Sequence, residues 1–179
     1  MLVLPQSAWP DQGTDRERTD PWYRDKVEEP DVEWAEDNPA IPAYPRVADL
    51  KPLHESRGSR FEFLIDTTSL SKGQDSVVRY TAVVRAPGGA ENVFYEGIRC
   101  SDKTYKTYAY GNPQSRSMRV QRKPRWRTVK SSPGDTALGF RPLLLRRYLC
   151  NVDNIPNEAR AVVSLLHHYP GRRSPDSYD

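Results

Sequence analysis

The sequence predicts an α+β domain: an antiparallel β-meander of four to five strands with two C-terminal helices packed on it, preceded by a Pro-rich extended arm. Three observations lead to this fold class. Apolar and polar residues alternate from Arg60 onward, short turn segments separate the β-prone stretches, and apolar stripes of helical spacing follow Pro142. Only 36% of residues are hydrophobic and 16 are proline, so part of the chain must lie outside a close-packed core.

Composition divides the chain into an arm at residues 1–57, a single domain at 58–170 and a fraying tail at 171–179. Residues 1–50 carry 12 acidic and 5 basic side chains, whereas residues 51–179 carry 12 acidic and 22 basic ones. The arm is therefore acidic and the body basic. We expect the arm to drape over its own domain and neutralise it; the alternative is two surfaces with different partners.

Prolines recur along the arm and favour extended backbone, because each removes a hydrogen-bond donor and restricts the preceding residue. A disordered linker rarely contains three tryptophans, so Trp9, Trp22 and Trp34 are candidate anchors that dock the arm. At most a short helical turn is expected near residues 32–37. Residues 1–8 are apolar and then small, as in the remnant of a signal peptide.

Four β-prone segments joined by short turns predict the antiparallel meander. The first begins at Arg60 and is followed by turn residues at 66–69 and again at 72–75. Gly88 and Gly89 suit the hairpin between the second and third strands, because glycine accepts positive φ. Gly97 indicates a bulge or a close backbone approach. The later strands are expected at 77–85, 93–100 and 103–110, with a short one at 126–129 in an otherwise irregular, basic stretch.

Two helices are predicted near the C-terminus. Pro142 suits a first helical turn, and it precedes an apolar stripe formed by Leu144, Leu145, Tyr148 and Leu149. Asn154 is the expected N-cap of the last helix. The apolar face of that helix is expected to comprise Ile155, Ala159, Val162 and Leu166.

The chain has two cysteines, Cys100 at the end of the third strand and Cys150 at the end of a helix. In an oxidising compartment a disulfide would pin that helix to the sheet and contribute roughly 4 kcal/mol over a loop of about fifty residues. A zinc site that adds His54, His167 and His168 meets the ligand count but lacks the usual spacing. We therefore predict a disulfide, no metal site and no cofactor.

Several short sequence segments together carry a resemblance to a known family. The most specific of them runs from Tyr95 through Glu96, Gly97, Ile98 and Arg99 to Cys100. Together with Phe63-Leu64-Ile65-Asp66 and Tyr148-Leu149-Cys150, it resembles the cryptic neisserial protein-like family over roughly residues 60 to 166. The resemblance implies export by a signal peptide in Gram-negative bacteria, with both cysteines retained, and it implies no particular activity. The arginine-rich segment 112–125 departs from the family pattern.

A dense basic run around one tryptophan is the candidate binding surface, comprising Arg116, Arg119, Arg122, Lys123, Arg125, Trp126, Arg127 and Lys130. Arginines that flank an aromatic ring suit phosphate contacts and base stacking, and they suit anionic lipid headgroups equally well. We expect this run to meet the protein's own acidic arm. Nucleic acid is not expected, because the chain contains no recognised nucleic-acid-binding module.

Glu96 shares a strand face with Phe94 and Ile98, so its burial would require a partner, for which Arg79 and Arg99 are candidates. A carboxylate beside a glycine is also a candidate general base, although no second carboxylate or nucleophile is clearly placed to work with it. No catalytic residue is assigned, because the sequence lacks a nucleophile elbow, a phosphate-binding glycine loop and a dinucleotide fingerprint.

The sequence thus predicts a non-enzymatic exported protein, located in the periplasm or at the outer-membrane periphery, that binds another envelope protein or an anionic envelope component. No segment reaches the ~20 apolar residues of a membrane span. Two alternatives stay open. One is an envelope enzyme that uses Glu96 as acid or base, and the other is a binder of anionic lipid or polymer through residues 116–130.

Overall fold

The computed structural model describes residues 33–54, 59–130 and 138–168. The chain divides into two units between Ala35 and Glu36, and the strands and helices of the described residues all belong to the second unit. Within the part of the chain that is described, no helix has the length and apolar character needed to cross a membrane.

One antiparallel sheet dominates the second unit, and its strands follow chain order. The outer edge of β5 is shared, because β6 pairs with its C-terminal half while β7 pairs with Thr104 and Tyr105. The α+β meander is therefore confirmed, with more strands than the four to five expected. The strands are β1 Leu50–Pro52, β2 Glu62–Lys72, β3 Val77–Arg85, β4 Glu91–Arg99, β5 Thr104–Asn112, β6 Ser117–Val120 and β7 Arg127–Thr128.

The turn predicted at residues 66–69 is instead an irregularity inside β2. The register with β3 shifts between Asp66 and Ser71, and the Asp66 carboxylate accepts hydrogen bonds from the Thr68 amide at 3.0 Å and its hydroxyl at 2.7 Å. These residues have turn chemistry, but it produces a bulge rather than a reversal. The reversal comes at the second predicted turn, after Lys72, where Ser76 adopts a positive φ of 61°.

The hairpin and the close approach predicted around the glycines are both confirmed. Gly89 has a φ of 81° in the turn between β3 and β4. A Cβ on Gly97 would lie 2.7 Å from Val77 Cγ1 and 2.9 Å from the Tyr108 hydroxyl oxygen. Position 97 therefore has to be glycine for β4 to pack against these two side chains.

The first predicted helix has two parts. Helix α1, Phe140–Leu144, continues as a π-helix at Leu145–Leu149, and Pro142 lies in the first turn as expected. All four residues of the predicted stripe are buried, which confirms the face that packs on the sheet. The wider π turn does not follow from the sequence, because apolar periodicity does not separate it from an α-helix over so few residues.

The predicted start of the last helix is wrong. Helix α2 runs from Ala159 to His168, and Asn154 lies before it in a turn with a φ of 59°. Asparagine tolerates this left-handed conformation, and that tolerance explains its presence in the turn without a capping role. Ile155 is consequently 56% exposed, whereas Val162 and Leu166 are buried as predicted.

The helices cover one face of the sheet and form the main core with it. Buried side chains from β2, β3 and β4, such as Ile65, Tyr80 and Ile98, pack against Phe140 and Leu144. A disulfide joins Cys100, directly after β4, to Cys150, directly after the π-helix, with the two Cα atoms 5.7 Å apart. The covalent link from helix to sheet is as the sequence predicted.

The opposite face of the sheet carries smaller apolar clusters. Leu64, Val83 and Val93 form one of them, and Tyr95, Tyr108 and Ala109 form the other. Two residues from the segment before β1 pack on these clusters, namely Tyr44 on the first and Ile41 on the second. This face is therefore covered by residues 36–46, which we call the strap.

Candidate functional site

The basic surface lies on β6, β7 and the loops around them, at the outer edge of β5. The strand β6 does not follow from the sequence, because its four residues are all exposed or partly exposed and show no burial alternation. Pairing with β5 nevertheless orders the segment: Tyr110 lies opposite Arg119 and Gly111 opposite Met118. The basic residues therefore stand on a sheet edge rather than in an irregular loop.

All seven cations of the basic surface are exposed, and Trp126 is partly buried among them. None of the seven forms an ion pair with a described residue, and the sole hydrogen bond that their side chains form within the described ranges joins Arg116 to the Pro45 carbonyl oxygen at 3.2 Å. Most cations elsewhere on the sheet differ from these seven, since salt bridges to described carboxylates are formed by Arg46, Lys72, Arg79, Arg85, Arg99, Lys106 and Arg141. Seven cations that form no ion pair with a described carboxylate therefore lie close together at one edge of the sheet.

Trp126 ties the basic surface to the strap. Its indole Nε1 donates a hydrogen bond of 3.2 Å to a carboxylate oxygen of Glu36. The guanidinium of Arg99 and the ammonium of Lys106 lie 5.4 Å and 5.6 Å from the Trp126 ring centroid. A tryptophan that contacts two cations and has its N–H bonded is held in one orientation, and this fixes Arg125 and the start of β7 at Arg127 on either side of it.

Glu36 is the polar anchor of the strap. Besides Trp126, its carboxylate accepts a hydrogen bond of 2.6 Å from Lys106 Nζ and one of 2.8 Å from the Tyr108 hydroxyl. Burial raises the pKa of Tyr108, and the hydrogen bond to Glu36 raises it further, so the phenol keeps its proton as a donor. Sequence reasoning missed Glu36, because it is one of 12 acidic residues among the first 50.

The strap continues from Glu36 along the sheet face. The Asp37 amide donates to Asp75 at 2.9 Å, and the Asp37 carbonyl oxygen accepts from Arg79 at 3.3 Å. Farther along, the Arg116 guanidinium lies 4.9 Å from the centroid of the Tyr44 ring. This part of the arm drapes over its own domain, as expected, but its described acidic groups do not neutralise the basic surface.

The predicted tryptophan anchors are not tested by these contacts. Trp9 and Trp22 lie outside the described residues, and Trp34 belongs to the first unit, with 41% of its surface exposed. Their anchoring role stays a prediction. The strap itself contacts the sheet face through Glu36, Asp37, Ile41 and Tyr44.

Glu96 is fully buried on the helix-covered face, as its parity with Phe94 and Ile98 predicted. Its partner is Arg141, which donates to both carboxylate oxygens, from Nε at 2.9 Å and from the terminal nitrogen at 2.6 Å. The predicted partners are wrong, because Arg79 pairs with Asp75 on the opposite face and Arg99 pairs with Asp102 at the strand end.

Two further donors complete the surroundings of Glu96. Thr107 donates at 2.7 Å and Tyr80 at 3.2 Å. Burial raises the pKa of Tyr80 well above its ordinary value, so the hydroxyl stays protonated. A carboxylate that accepts four hydrogen bonds in a closed site has no lone pair directed at a substrate, so this geometry describes a structural ion pair.

The Arg141 guanidinium is sandwiched among aromatic rings. It lies 4.1 Å from the Tyr105 centroid, 5.0 Å from Phe140 and 5.6 Å from Phe94. Burial alone would lower the pKa of Arg141, but the hydrogen bonds and charge of Glu96 raise it. Arg141 therefore stays charged inside the core and fastens α1 to the centre of the sheet.

A cleft of about 570 Å³ opens beside this ion pair, between β7 and the start of α1. None of its described lining residues is acidic, so a second carboxylate to work with Glu96 is absent from this lining. The lining combines cationic and apolar side chains: Tyr105, Arg127, Thr128, Val129, Lys130, Leu138, Gly139, Arg141 and Pro142. In the described ranges no three His, Cys, Asp or Glu side chains cluster as metal ligands would.

Comparison with known proteins places the chain in a family. A model of the CNP1-like family matches residues 29–167, which is most of the chain and includes the strap as well as the sheet and helices. No curated protein and no solved structure matches the chain. The matched region contains the basic surface, the Glu96–Arg141 pair and both cysteines. On this match, the chain belongs to the CNP1-like family.

Proposed function

We propose that the protein is an exported, non-enzymatic binding protein whose basic surface holds an anionic component of the bacterial envelope. One observation carries the proposal. The cations elsewhere on the sheet are largely paired with carboxylates, whereas the seven on the basic surface have no ionic partner among the described residues. Unpaired charge of one sign on a defined edge attracts ligands of the opposite sign.

The strap supports this assignment by ordering the surface. Glu36 holds Trp126 in the middle of the basic run, and β6 holds Arg119 by pairing with β5. Cations on ordered backbone lose less conformational entropy when a ligand binds than cations on a mobile loop. The surface is thus preorganised for binding.

Export is part of the proposal and rests on two supports. The disulfide between Cys100 and Cys150 suits an oxidising compartment such as the periplasm. The resemblance of the Tyr95–Cys100 string to the cryptic neisserial protein-like family implies a signal peptide. Fractionation of the cells that make the protein tests this part: we expect it in the periplasmic or outer-membrane fraction, and its recovery with cytosolic proteins would refute export.

The binding test uses the full chain with phosphatidylglycerol vesicles and with phosphatidylcholine vesicles at low ionic strength. We expect co-sedimentation with the anionic vesicles only. The variant Arg122→Ser/Arg125→Ser/Arg127→Ser should lose about 3 kcal/mol, or roughly a hundredfold in affinity, since each cation near an anionic surface contributes about 1 kcal/mol.

A matched control separates the basic surface from overall charge. Lys51, Arg146 and Arg160 are exposed or partly exposed and have no ion pair with a described residue. Changing all three to Ser removes the same charge from other parts of the domain. The control should bind nearly as well as the unmodified chain. Equal loss in both triple variants would show that net charge, not this surface, causes binding.

The alternative of an envelope enzyme that uses Glu96 receives no support from the geometry. Its carboxylate is closed off from solvent and occupied by four donors. To act as a base it would have to leave Arg141 buried without a counter-charge, which costs several kcal/mol. The binding proposal requires no such rearrangement.

A further inference from the structure

The cleft beside Arg141 has the dimensions of a ligand site. Its volume is about 570 Å³, and pockets that enclose small organic ligands are generally about 300–1,000 Å³. It lies between β7 and the first residues of α1, so one wall is a strand edge and the other a helix. The basic surface borders it directly, because Arg127 and Lys130 belong to both.

The walls of the cleft differ in chemistry. Tyr105, Val129, Leu138 and Pro142 make part of the lining apolar, and Leu138 is 48% exposed. An exposed leucine in the wall of a cleft gains free energy when an apolar ligand covers it. A ligand that is only a charged headgroup would leave this part of the cleft unused.

The cations of the cleft also differ from one another. Arg141 is neutralised by Glu96 and is 6% exposed, so it offers no unpaired charge to a ligand. Arg127 and Lys130 are exposed and have no ion pair with a described residue. Two exposed cations therefore carry the positive charge of the cleft that has no described partner. The neighbouring apolar side chains line the part of the cleft that could hold the hydrocarbon chain of a ligand.

We propose that the anionic component is an amphiphile, whose negatively charged headgroup contacts Arg127 and Lys130 while its acyl chain enters the cleft along Val129 and Leu138. This inference rests on the proposed function and narrows it to a class of ligand, an anionic lipid bound as a single molecule. Charge complementarity places the headgroup, and the apolar wall places the chain.

The probe is lysophosphatidylglycerol with octanoyl, decanoyl or dodecanoyl chains, kept below the concentration at which each forms micelles. Titration calorimetry with the full chain gives the dissociation constants. Each added methylene that enters the cleft should strengthen binding about fourfold, because a buried CH₂ contributes about 0.8 kcal/mol. Glycerophosphoglycerol, which has the same headgroup and no chain, should not bind measurably.

Two results would overturn the inference. Affinity that does not depend on chain length would show that no chain is buried. Equal affinity for lysophosphatidylcholine of the same chain length would show that the headgroup charge plays no part. In either case, continued binding of the full chain to phosphatidylglycerol vesicles would leave the proposed function standing, whereas loss of that binding would refute both.

A variant in the apolar wall tests the position of the chain. Leu138→Gln keeps a similar volume and charge but places an amide where the chain should lie, and we expect about tenfold weaker binding of the dodecanoyl probe, equivalent to about 1.4 kcal/mol. Ile155→Gln makes the same change at a residue that is 56% exposed and outside the cleft, and it should have no effect. Equal affinities of the Leu138→Gln and Ile155→Gln variants for the dodecanoyl probe would show that the acyl chain does not lie along Leu138.

Discussion

Removing the carboxylate of Glu96 should destabilise the protein strongly, because it leaves a buried cation without its partner. In Glu96→Ala, Arg141, whose side chain is only 7% exposed, loses its counter-charge, and the hydroxyls of Tyr80 and Thr107 lose their acceptor. Breaking a buried ion pair by removing one partner costs about 3–5 kcal/mol. We expect the free energy of unfolding to fall by that amount.

The assay is urea unfolding at neutral pH with the disulfide intact, followed by circular dichroism and by tryptophan fluorescence. Coincident curves from the two probes justify a two-state free energy of unfolding. A fall of less than about 1 kcal/mol would show that the pair stabilises the fold no more than an exposed pair does.

The double variant Glu96→Leu/Arg141→Met separates the pair from its surroundings. Replacing both charges by apolar groups of similar size leaves no buried charge, so most of the stability lost in Glu96→Ala should return. Losses that simply add in the double variant would show that Glu96 and Arg141 do not act as a unit.

Three other perturbations test the strap, the acid sensitivity and the disulfide. Glu36→Ala should speed hydrogen exchange of the Asp37 amide by about tenfold or more, because a charge-assisted hydrogen bond contributes about 1.5–3 kcal/mol; unchanged exchange would show that Glu36 does not hold the strap. Burial alone would raise the pKa of Asp75, but hydrogen bonds from Arg79 and from backbone amides lower it. The resulting stability is present above the unfolded-state pKa of about 4 and is lost as the pH falls through the folded-state pKa. The urea midpoint of Asp75→Asn should therefore change less with pH in the acid range than the midpoint of the unmodified chain. Parallel pH curves for the two proteins would contradict this. Reduction of the disulfide, whose cysteines are 50 positions apart, should cost about 4 kcal/mol, measured as a shift in the urea midpoint; a loss below about 1 kcal/mol would mean that the loop is already constrained without it.

The core strands can be predicted because burial selects the residue types of a strand. In β3 eight of nine residues are buried, and β-branched side chains fill many of these positions, while the glycines of the following turn mark its end. The pairing of Cys100 with Cys150 follows from the count of cysteines and the elements that they terminate. The local sequence is therefore enough to predict a strand or helix wherever that element is consistently buried.

Edge elements leave no such pattern. The strand β6 has no buried residue, so nothing in Ser117–Val120 separates it from an exposed basic loop. The irregularity after Asp66 resembles a turn in sequence because bulges and turns use the same short polar residues. In both cases the pairing partner, rather than the local sequence, decides the structure.

The partners of charged residues are the least predictable part of the site. Glu96 and Arg141 are 45 positions apart, and Glu36 and Trp126 are 90 apart. Proximity in sequence favours Arg79 and Arg99 as partners of Glu96, but Arg79 points to the opposite face and Arg99 has Asp102 three residues away. Only the packing of α1 on the sheet brings Arg141 to the carboxylate.

The basic surface is proposed to bind an anion through cations that form no ion pair with a described residue. The most direct measurement is the affinity of the full chain for phosphatidylglycerol vesicles as a function of sodium chloride concentration. Affinity should fall steeply with salt, and the logarithmic slope should become shallower by about two to three in the variant lacking Arg122, Arg125 and Arg127, because each contact with a phosphate releases roughly one counterion. The same slope for the unmodified chain and the variant would contradict the claim.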